Sequence, residues 1–401
     1  MKTVKIMVVA GEASGDAHAA RLVRAMRQSA PDVRFEFFGS AGPEMRDEGV
    51  EPIVHADELA IMGLSEIARS LPIFLSAFQK LRHEAASRRP DAVILVDFPE
   101  FNLKLARSLK KKGLKVIYYI SPQLWGWRQY RRRTIERDVD LLLSILPFEK
   151  DWYAARGITN VEYVGNPLTN EVRATMEREE FCAAHGLDPN RPVIALLPGS
   201  RRKELVHILP DMIRAASMMP ENGSIQFVTA LASTRRANEV DSVVSDLRVQ
   251  GVAVPESFIT VKDQTYNVLE AADAAAVASG TATLEAGIIG TPMAIVYKTS
   301  VLNYGLLRPL IDVEFFGLVN LIAGEAVARE LIQGDLTADN LAAELWRLLD
   351  PKVNAEVREQ LRRAADKLGH GGASRRAAEA ILRLLEDDHR PLQPPLGGIC
   401  S

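Results

Sequence analysis

Cysteine is nearly absent from this 401-residue chain: Cys182 and Cys400 are the only two, and they lie far apart. That excludes a disulfide framework and a cysteine-based zinc site, and it points to a reducing compartment. No run of about 18 apolar residues occurs, so a membrane-spanning helix is not expected. The apolar stretch Ile6–Ala10 is too short for a secretory signal and is broken by Gly11-Glu12, which predicts a cytoplasmic protein. A surplus of charge is also missing, with 49 Lys and Arg against 52 Asp and Glu for a net charge of −3. That balance argues against a general nucleic-acid coat but allows local basic patches. What the chain does have is apolar material, 47% of it hydrophobic. This is enough for a packed core and excludes disorder as the main state. The length fits two domains of roughly 100–200 residues each.

Strand and helix signals alternate along the chain. Val4–Ala10, ending at Gly11, suits a buried parallel strand. Ala19, Leu22, Val23 and Met26 follow with amphipathic helical spacing. Further strands are expected at Phe35–Phe38, Ala92–Val96, Val116–Ile120 and Leu141–Leu146, with a helix over Leu103–Lys112. Asn166-Pro167-Leu168 reads as a join. A second series then runs through Val193–Leu197, Ile225–Thr229, Phe258–Val261, Ala274–Ala278 and Met293–Tyr297. Such repetition means parallel sheets with helices on both faces. Ser374–Leu385 is a strongly amphipathic last helix, followed by a Pro/Gly-rich tail.

Five segments are candidates for chemistry. Gly11-Glu12-Ala13-Ser14-Gly15-Asp16 joins the first strand to the first helix, where open α/β sheets bind ligands. Gly11 and Gly15 would permit a tight turn, and Ser14 or Asp16 could equally serve only as a cap. Asp97, at the end of strand Ala92–Val96 and before Pro99, is placed for general-base work or for capping the next helix. Ser121–Arg128 holds two of the four tryptophans and precedes Arg131-Arg132-Arg133. It fits an RNA patch, a phosphorylated ligand, an anionic membrane, or a packed Trp pair beside a solvated helix. In the second half, Leu197–Glu204 ends a strand with Gly199-Ser200-Arg201, and Ala278–Glu285 repeats the arrangement with Ser279-Gly280-Thr281. Glycine turns at helix starts offer N–H groups to a diphosphate, and Arg201 offers a fork. Glu285, a turn further on, could accept ribose hydroxyls. Asp138 and Asp140 have a D-x-D spacing, but they lead into a strand and no metal is expected there.

Together these motifs resemble the lipid-A-disaccharide synthase family. The carriers are GEASGD at Gly11, DFPEFN at Asp97, SPQLWGWR at Ser121, LPFE at Leu146, LLPGSR at Leu196, ASGTATLE at Ala278 and NLIAG at Asn320. Their order matches the family. The sequence departs from it at Phe98, Glu100 and Gly126, none of which removes a proposed functional group.

The resemblance implies an α/β fold of the GT-B type, with two Rossmann-like doubly wound domains facing a cleft. Its C-terminal helix crosses back to the first domain. The implied division is residues 1–167 plus about 367–401 for the acceptor side, and 168–366 for UDP-sugar binding. The implied reaction is inverting and metal-independent, with no cofactor. It joins UDP-2,3-diacylglucosamine to 2,3-diacylglucosamine 1-phosphate, giving the β-1,6-linked disaccharide 1-phosphate and UDP. By the same resemblance Asp97 matches the general base. Arg201, Glu204, Ser279, Gly280, Thr281, Glu285 and Asn320 match the UDP site, and Gly15, Asp16 and Arg128 the acceptor side. The family also suggests a homodimer, and no nucleic-acid partner is expected.

The dense apolar segment from Leu59 to Phe78 reads either as a core helix or as a flap for acyl chains or the inner-membrane surface, helped by Arg131–Arg133, with Ile61, Met62, Leu71 and Phe74 as contacts. Two other readings remain at this point. One is another UDP-GlcNAc-using GT-B enzyme, a 2-epimerase or a muramyl-lipid transferase. The other is a non-catalytic nucleotide-sugar or RNA-binding protein.

Overall fold

The computed structural model describes residues 2–57, 67–219, 224–232, 235–299 and 313–387. Ile61, Met62, Cys400 and the side chain of Leu71 lie outside these. The chain divides into two compact units, residues 1–167 with 371–401 and residues 168–370.

The first unit is built on a parallel seven-stranded sheet in the order β3-β2-β1-β4-β5-β6-β7. Its strands are β1 (Lys2–Val9), β2 (Val33–Ala41), β3 (Glu51–His55), β4 (Ala92–Val96), β5 (Val116–Tyr119), β6 (Leu141–Ser144) and β7 (Val161–Tyr163). β1 lacks polar/apolar alternation because both of its faces are covered. Ile6 and Val8 pack into a core with helix Ala13–Ser29 and the last helix, Ala373–Asp387. Met7 and Val9 pack into the opposite core with helices Ile67–Arg88 and Pro99–Lys110. The last helix returns to this unit by burying Ala377, Ala378 and Ile381. It is tied down by Arg376 Nε donating to the Val164 carbonyl at 2.8 Å.

The second unit carries a parallel six-stranded sheet in the order β10-β9-β8-β11-β12-β13. Its strands are β8 (Val193–Leu197), β9 (Gln226–Leu231), β10 (Phe258–Lys262), β11 (Ala274–Ala278), β12 (Met293–Tyr297) and β13 (Glu330–Ile332). The alanine-rich β11 is poor in β-formers, yet it is wholly buried between β8 and β12. Central position and helix cover override its propensity.

Sequence patterning predicts no strands at Glu51–His55, Val161–Tyr163 or Glu330–Ile332. All three are short edge strands, and only one residue in each is buried. Edge strands lack the long apolar run that marks a central one.

Candidate active site

In each sheet the strand order reverses between two neighbours, β1 and β4 in the first unit and β8 and β11 in the second. Ligands bind such sheets beyond the carboxyl ends of the strands at that reversal. The motifs at Gly11, Asp97, Gly199 and Ser279 follow these four strands directly.

In the first unit, Asp97 and Phe98 form an elbow, both left-handed with φ of 45° and 51°. Each such residue costs on the order of 1–3 kcal/mol and persists only where the surroundings hold it. The Asp97 carbonyl accepts from Asn102 Nδ2 at 2.8 Å and from the Tyr118 hydroxyl at 2.7 Å. Its N–H donates to the Tyr119 carbonyl at 3.0 Å. Phe98 stacks on Phe101 with 5.6 Å between ring centres. Burial pushes the Asp97 carboxyl up to about 6. The Glu12 charge pushes the same way, and a hydrogen bond from the Phe98 backbone pulls it back. A carboxylate of that basicity is suited to accept a proton near neutral pH.

Gly11 is needed for close approach: a Cβ there would come within 2.3 Å of the Phe98 ring. Gly11→Ala should displace Phe98 and with it the Asp97 elbow. The expected result is a fall in kcat of about tenfold or more with UDP affinity unchanged, read by steady-state kinetics beside UDP calorimetry.

Three expectations for this unit need correction. Gly15 makes no turn, because the helix already begins at Ala13. Asp16 is not free for a ligand. Its buried carboxylate accepts from the N–H groups of Gly42 (2.8 Å), Glu44 (2.9 Å) and Met45 (3.3 Å), capping the short helix Pro43–Asp47. Phe74 faces inward onto Phe98 and Phe101, while its neighbours Ile73 and Leu75 are 39% and 53% exposed.

Arg128 lies over the Trp127 ring and pairs with Glu100 at 2.6 Å, which Arg131 also holds at 2.7 Å. Of the D-x-D pair, Asp140 accepts from Val116 N at 2.8 Å and pairs with Lys110, and Asp138 pairs with Arg137. Among the described residues no group of three or more His, Cys, Asp or Glu is arranged to hold a metal.

In the second unit the strand ends enclose a cavity of about 600 Å³, within the range of small-molecule sites. It brings together Gly199, Ser200, Arg201, Glu204, Ser279, Gly280, Thr281 and Glu285. Arg201 stands before helix Arg202–Met218 with its side chain 80% exposed. The Glu204 carboxylate accepts from Ser200 N at 3.1 Å, Arg201 N at 3.2 Å and the Arg201 guanidinium at 2.8 Å. It thus takes the backbone donors of the turn at Ser200 and Arg201, and it engages one nitrogen of the mostly exposed Arg201 guanidinium. Gly199 has φ +109°, and a Cβ there would meet Glu204 at 2.3 Å.

Gly280, at φ +147°, leaves its carbonyl to accept from Thr283 Oγ1 at 2.8 Å. Ser279 Oγ donates to the Phe316 carbonyl at 2.9 Å. Burial raises the Glu285 carboxyl, Glu171 adds to this, and a hydrogen bond from Tyr266 opposes both.

Asn320 does not line the cavity. It is fully buried, with Nδ2 donating to the Ala328 carbonyl at 2.7 Å and Oδ1 accepting from Ala328 N at 2.9 Å. Conversely, Arg173, Thr175 and the loop Asp263–Asn267 line the cavity without having been singled out by sequence. Asp263 has φ +60°. For the loop the one available signal was its position just after strand Phe258–Lys262; Arg173 and Thr175, between helices Leu168–Glu171 and Arg178–His185, carried none.

Two Rossmann-ordered parallel sheets in one chain, with the last helix returning to the first unit, define the GT-B architecture. A UDP-N-acetylglucosamine 2-epimerase structure from Neisseria meningitidis shares that fold, at TM-score 0.62 and 15% identity over 96% of this chain and all of that one. The pattern of the lipid-A-disaccharide synthetase family matches residues 6–383. Lipid-A-disaccharide synthase of Trichlorobacter lovleyi is 42% identical over 385 residues, 95% of this chain and 98% of that protein. The Geobacter sulfurreducens protein of the same name is 43% identical over 383 residues, 95% and 97% of the two chains. The chain belongs to the lipid-A-disaccharide synthetase family, and it is a glycosyltransferase of lipid A biosynthesis.

Proposed function

We propose that the second unit holds UDP-2,3-diacylglucosamine and that the first holds 2,3-diacylglucosamine 1-phosphate. The Asp97 carboxylate takes the proton of the acceptor 6-hydroxyl while its oxygen bonds to the anomeric carbon. The bond from that carbon to the UDP oxygen breaks, and attack from the opposite face inverts the centre. Arg201 and the N–H groups around Ser279–Thr281 receive the charge that develops on the leaving diphosphate. Glu285, steadied by Tyr266, accepts the ribose hydroxyls. Arg128 exchanges its Glu100 partner for the acceptor phosphate. The observation that carries this reading is the Asp97 elbow, a strained and half-buried carboxylate of raised basicity at the strand reversal of the first unit. Product analysis after mixing the two acylated substrates tests it: a disaccharide 1-phosphate with stoichiometric UDP is expected. UDP release without a disaccharide would sink it.

Substrates with acyl chains live in a bilayer, and no helix of the described residues is long and apolar enough to cross one. The proposed attachment is peripheral, at the inner-membrane surface. Ile73 and Leu75 are exposed on the helix whose Phe74 packs beside Phe98 and Phe101. Trp127 and Tyr130, 39% and 66% exposed, flank arginines that grip Glu100 in that same neighbourhood. Apolar side chains beside cations suit an anionic interface. Ile73→Ser with Leu75→Ser should move the enzyme from the membrane to the soluble fraction after sedimentation, with UDP affinity unchanged. An unaltered distribution counts against the attachment.

A further inference from the structure

Glu149 is fully buried, an uncommon place for a carboxyl, and the chemistry above does not use it. Its Oε1 accepts from Trp125 Nε1 at 3.1 Å and its Oε2 from Leu146 N at 3.2 Å. The Ser121 hydroxyl and the Ile145 N–H add to these, and Ser121 Oγ also lies 3.1 Å from the Tyr153 hydroxyl. Burial pushes the carboxyl up to about 8 against the pull of these donors. Two loops therefore converge on one side chain, the loop after β5 and the loop after β6.

The loop after β5 is bracketed by strain. Ile120 and Arg128, at its two ends, have φ of 68° and 52°. A β-branched residue in the left-handed region is an outlier that needs holding. Between them Trp125 is buried edge-on against Phe148, 5.1 Å between ring centres. Beyond Trp125 the loop exposes Trp127 and ends at Arg128 on Glu100, in the first turn of the helix that the Asp97 elbow opens. Burying a carboxyl costs stability that its hydrogen bonds only offset, and apolar packing would often hold a loop at less cost.

We infer that Glu149 is a positioning residue for the acceptor. Its carboxyl fixes the Trp125 indole, and thereby the loop that presents Trp127 and Arg128 against the helix following Asp97. This rests on the reading that the acceptor binds at the strand ends of the first unit.

The test uses the full-length enzyme with Glu149→Gln, Trp125→Phe and the double variant. The acceptor is varied at saturating donor, and the donor KM, UDP affinity by calorimetry and thermal unfolding are measured alongside. An amide in place of the carboxyl sets an NH2 against N–H donors that the carboxyl accepts from, so Glu149→Gln should raise the acceptor KM about tenfold. Donor KM and UDP affinity should stay within about twofold. Trp125→Phe should raise the acceptor KM several-fold, and the double variant should be no worse than Glu149→Gln, the mark of a shared interaction. An acceptor KM unchanged in folded Glu149→Gln overturns the inference, as do additive effects or a parallel loss of UDP affinity. If Glu149→Gln fails to fold, Trp125→Phe decides, and an unchanged acceptor KM again overturns it. Asp97→Asn run in parallel separates the two levels. Turnover near the parent's there would defeat the reading of the acceptor site itself, whereas a thousandfold loss in Asp97→Asn beside normal Glu149→Gln defeats only the positioning role.

Discussion

Asp97→Asn is expected to lower kcat by about a thousandfold, within the range for loss of a positioned general base, while leaving UDP affinity in place. The separation follows from the structure, since Asp97 belongs to the first unit and the nucleotide-sized cavity to the second. The same substitution should stabilise the protein at neutral pH. In the folded chain the carboxyl titrates near 6 rather than at its ordinary 3.8, so the fold disfavours its charged form. The sign is opposite to that of a salt-bridged carboxylate. The penalty is fully present above about pH 6 and is relieved as pH falls from about 6 towards 4. At one pKa unit per 1.36 kcal/mol the shift corresponds to about 3 kcal/mol at most. Asp97→Asn should therefore melt higher than the parent at pH 7, and the difference should shrink at pH 4.5. The parent's kcat/KM should fall on the acid side with a midpoint near 6. Turnover retained in Asp97→Asn, or an acid limb well below pH 5, would remove Asp97 from the role of base.

Arg201→Ala is expected to cost about a hundredfold in kcat/KM for the UDP-sugar, roughly the worth of one bidentate charge-assisted contact to a developing phosphate charge. Arg201 is mostly exposed and its partner Glu204 is local, so the fold should tolerate the change. Arg201→Lys keeps the charge but loses the fork, and it should recover only part of the rate. Kinetics with donor varied, beside UDP calorimetry, read this directly. Unaltered donor kinetics in a folded Arg201→Ala would place the diphosphate elsewhere.

The legible part of the site consists of segments whose chemistry is local. Gly11, Asp97, Gly199 and Ser279 each follow a buried strand, and a continuous apolar run ended by Gly, Ser or Asp announces both the strand and its ligand-facing end. The loop Asp263–Asn267 follows a half-exposed edge strand instead, so its place in the cavity had no comparable mark. Asn320 falls within a motif but is spent on the turn at Ala328, where its amide satisfies backbone groups that would otherwise be buried without partners.

By itself, then, the amino-acid sequence determined the two α/β units, the central strands and the turns that follow them. Hydrophobic period and turn chemistry are properties of neighbouring residues. Only the tertiary structure decided which polar groups remain free for chemistry. Asp16 meets the N–H groups of Gly42, Glu44 and Met45, and Glu149 meets Trp125, across stretches of chain that no local pattern spans. It also turned Phe74 inward and left Ile73 and Leu75 outside. A helix rich in apolar residues on several sides reveals its buried face only once its neighbours are in place.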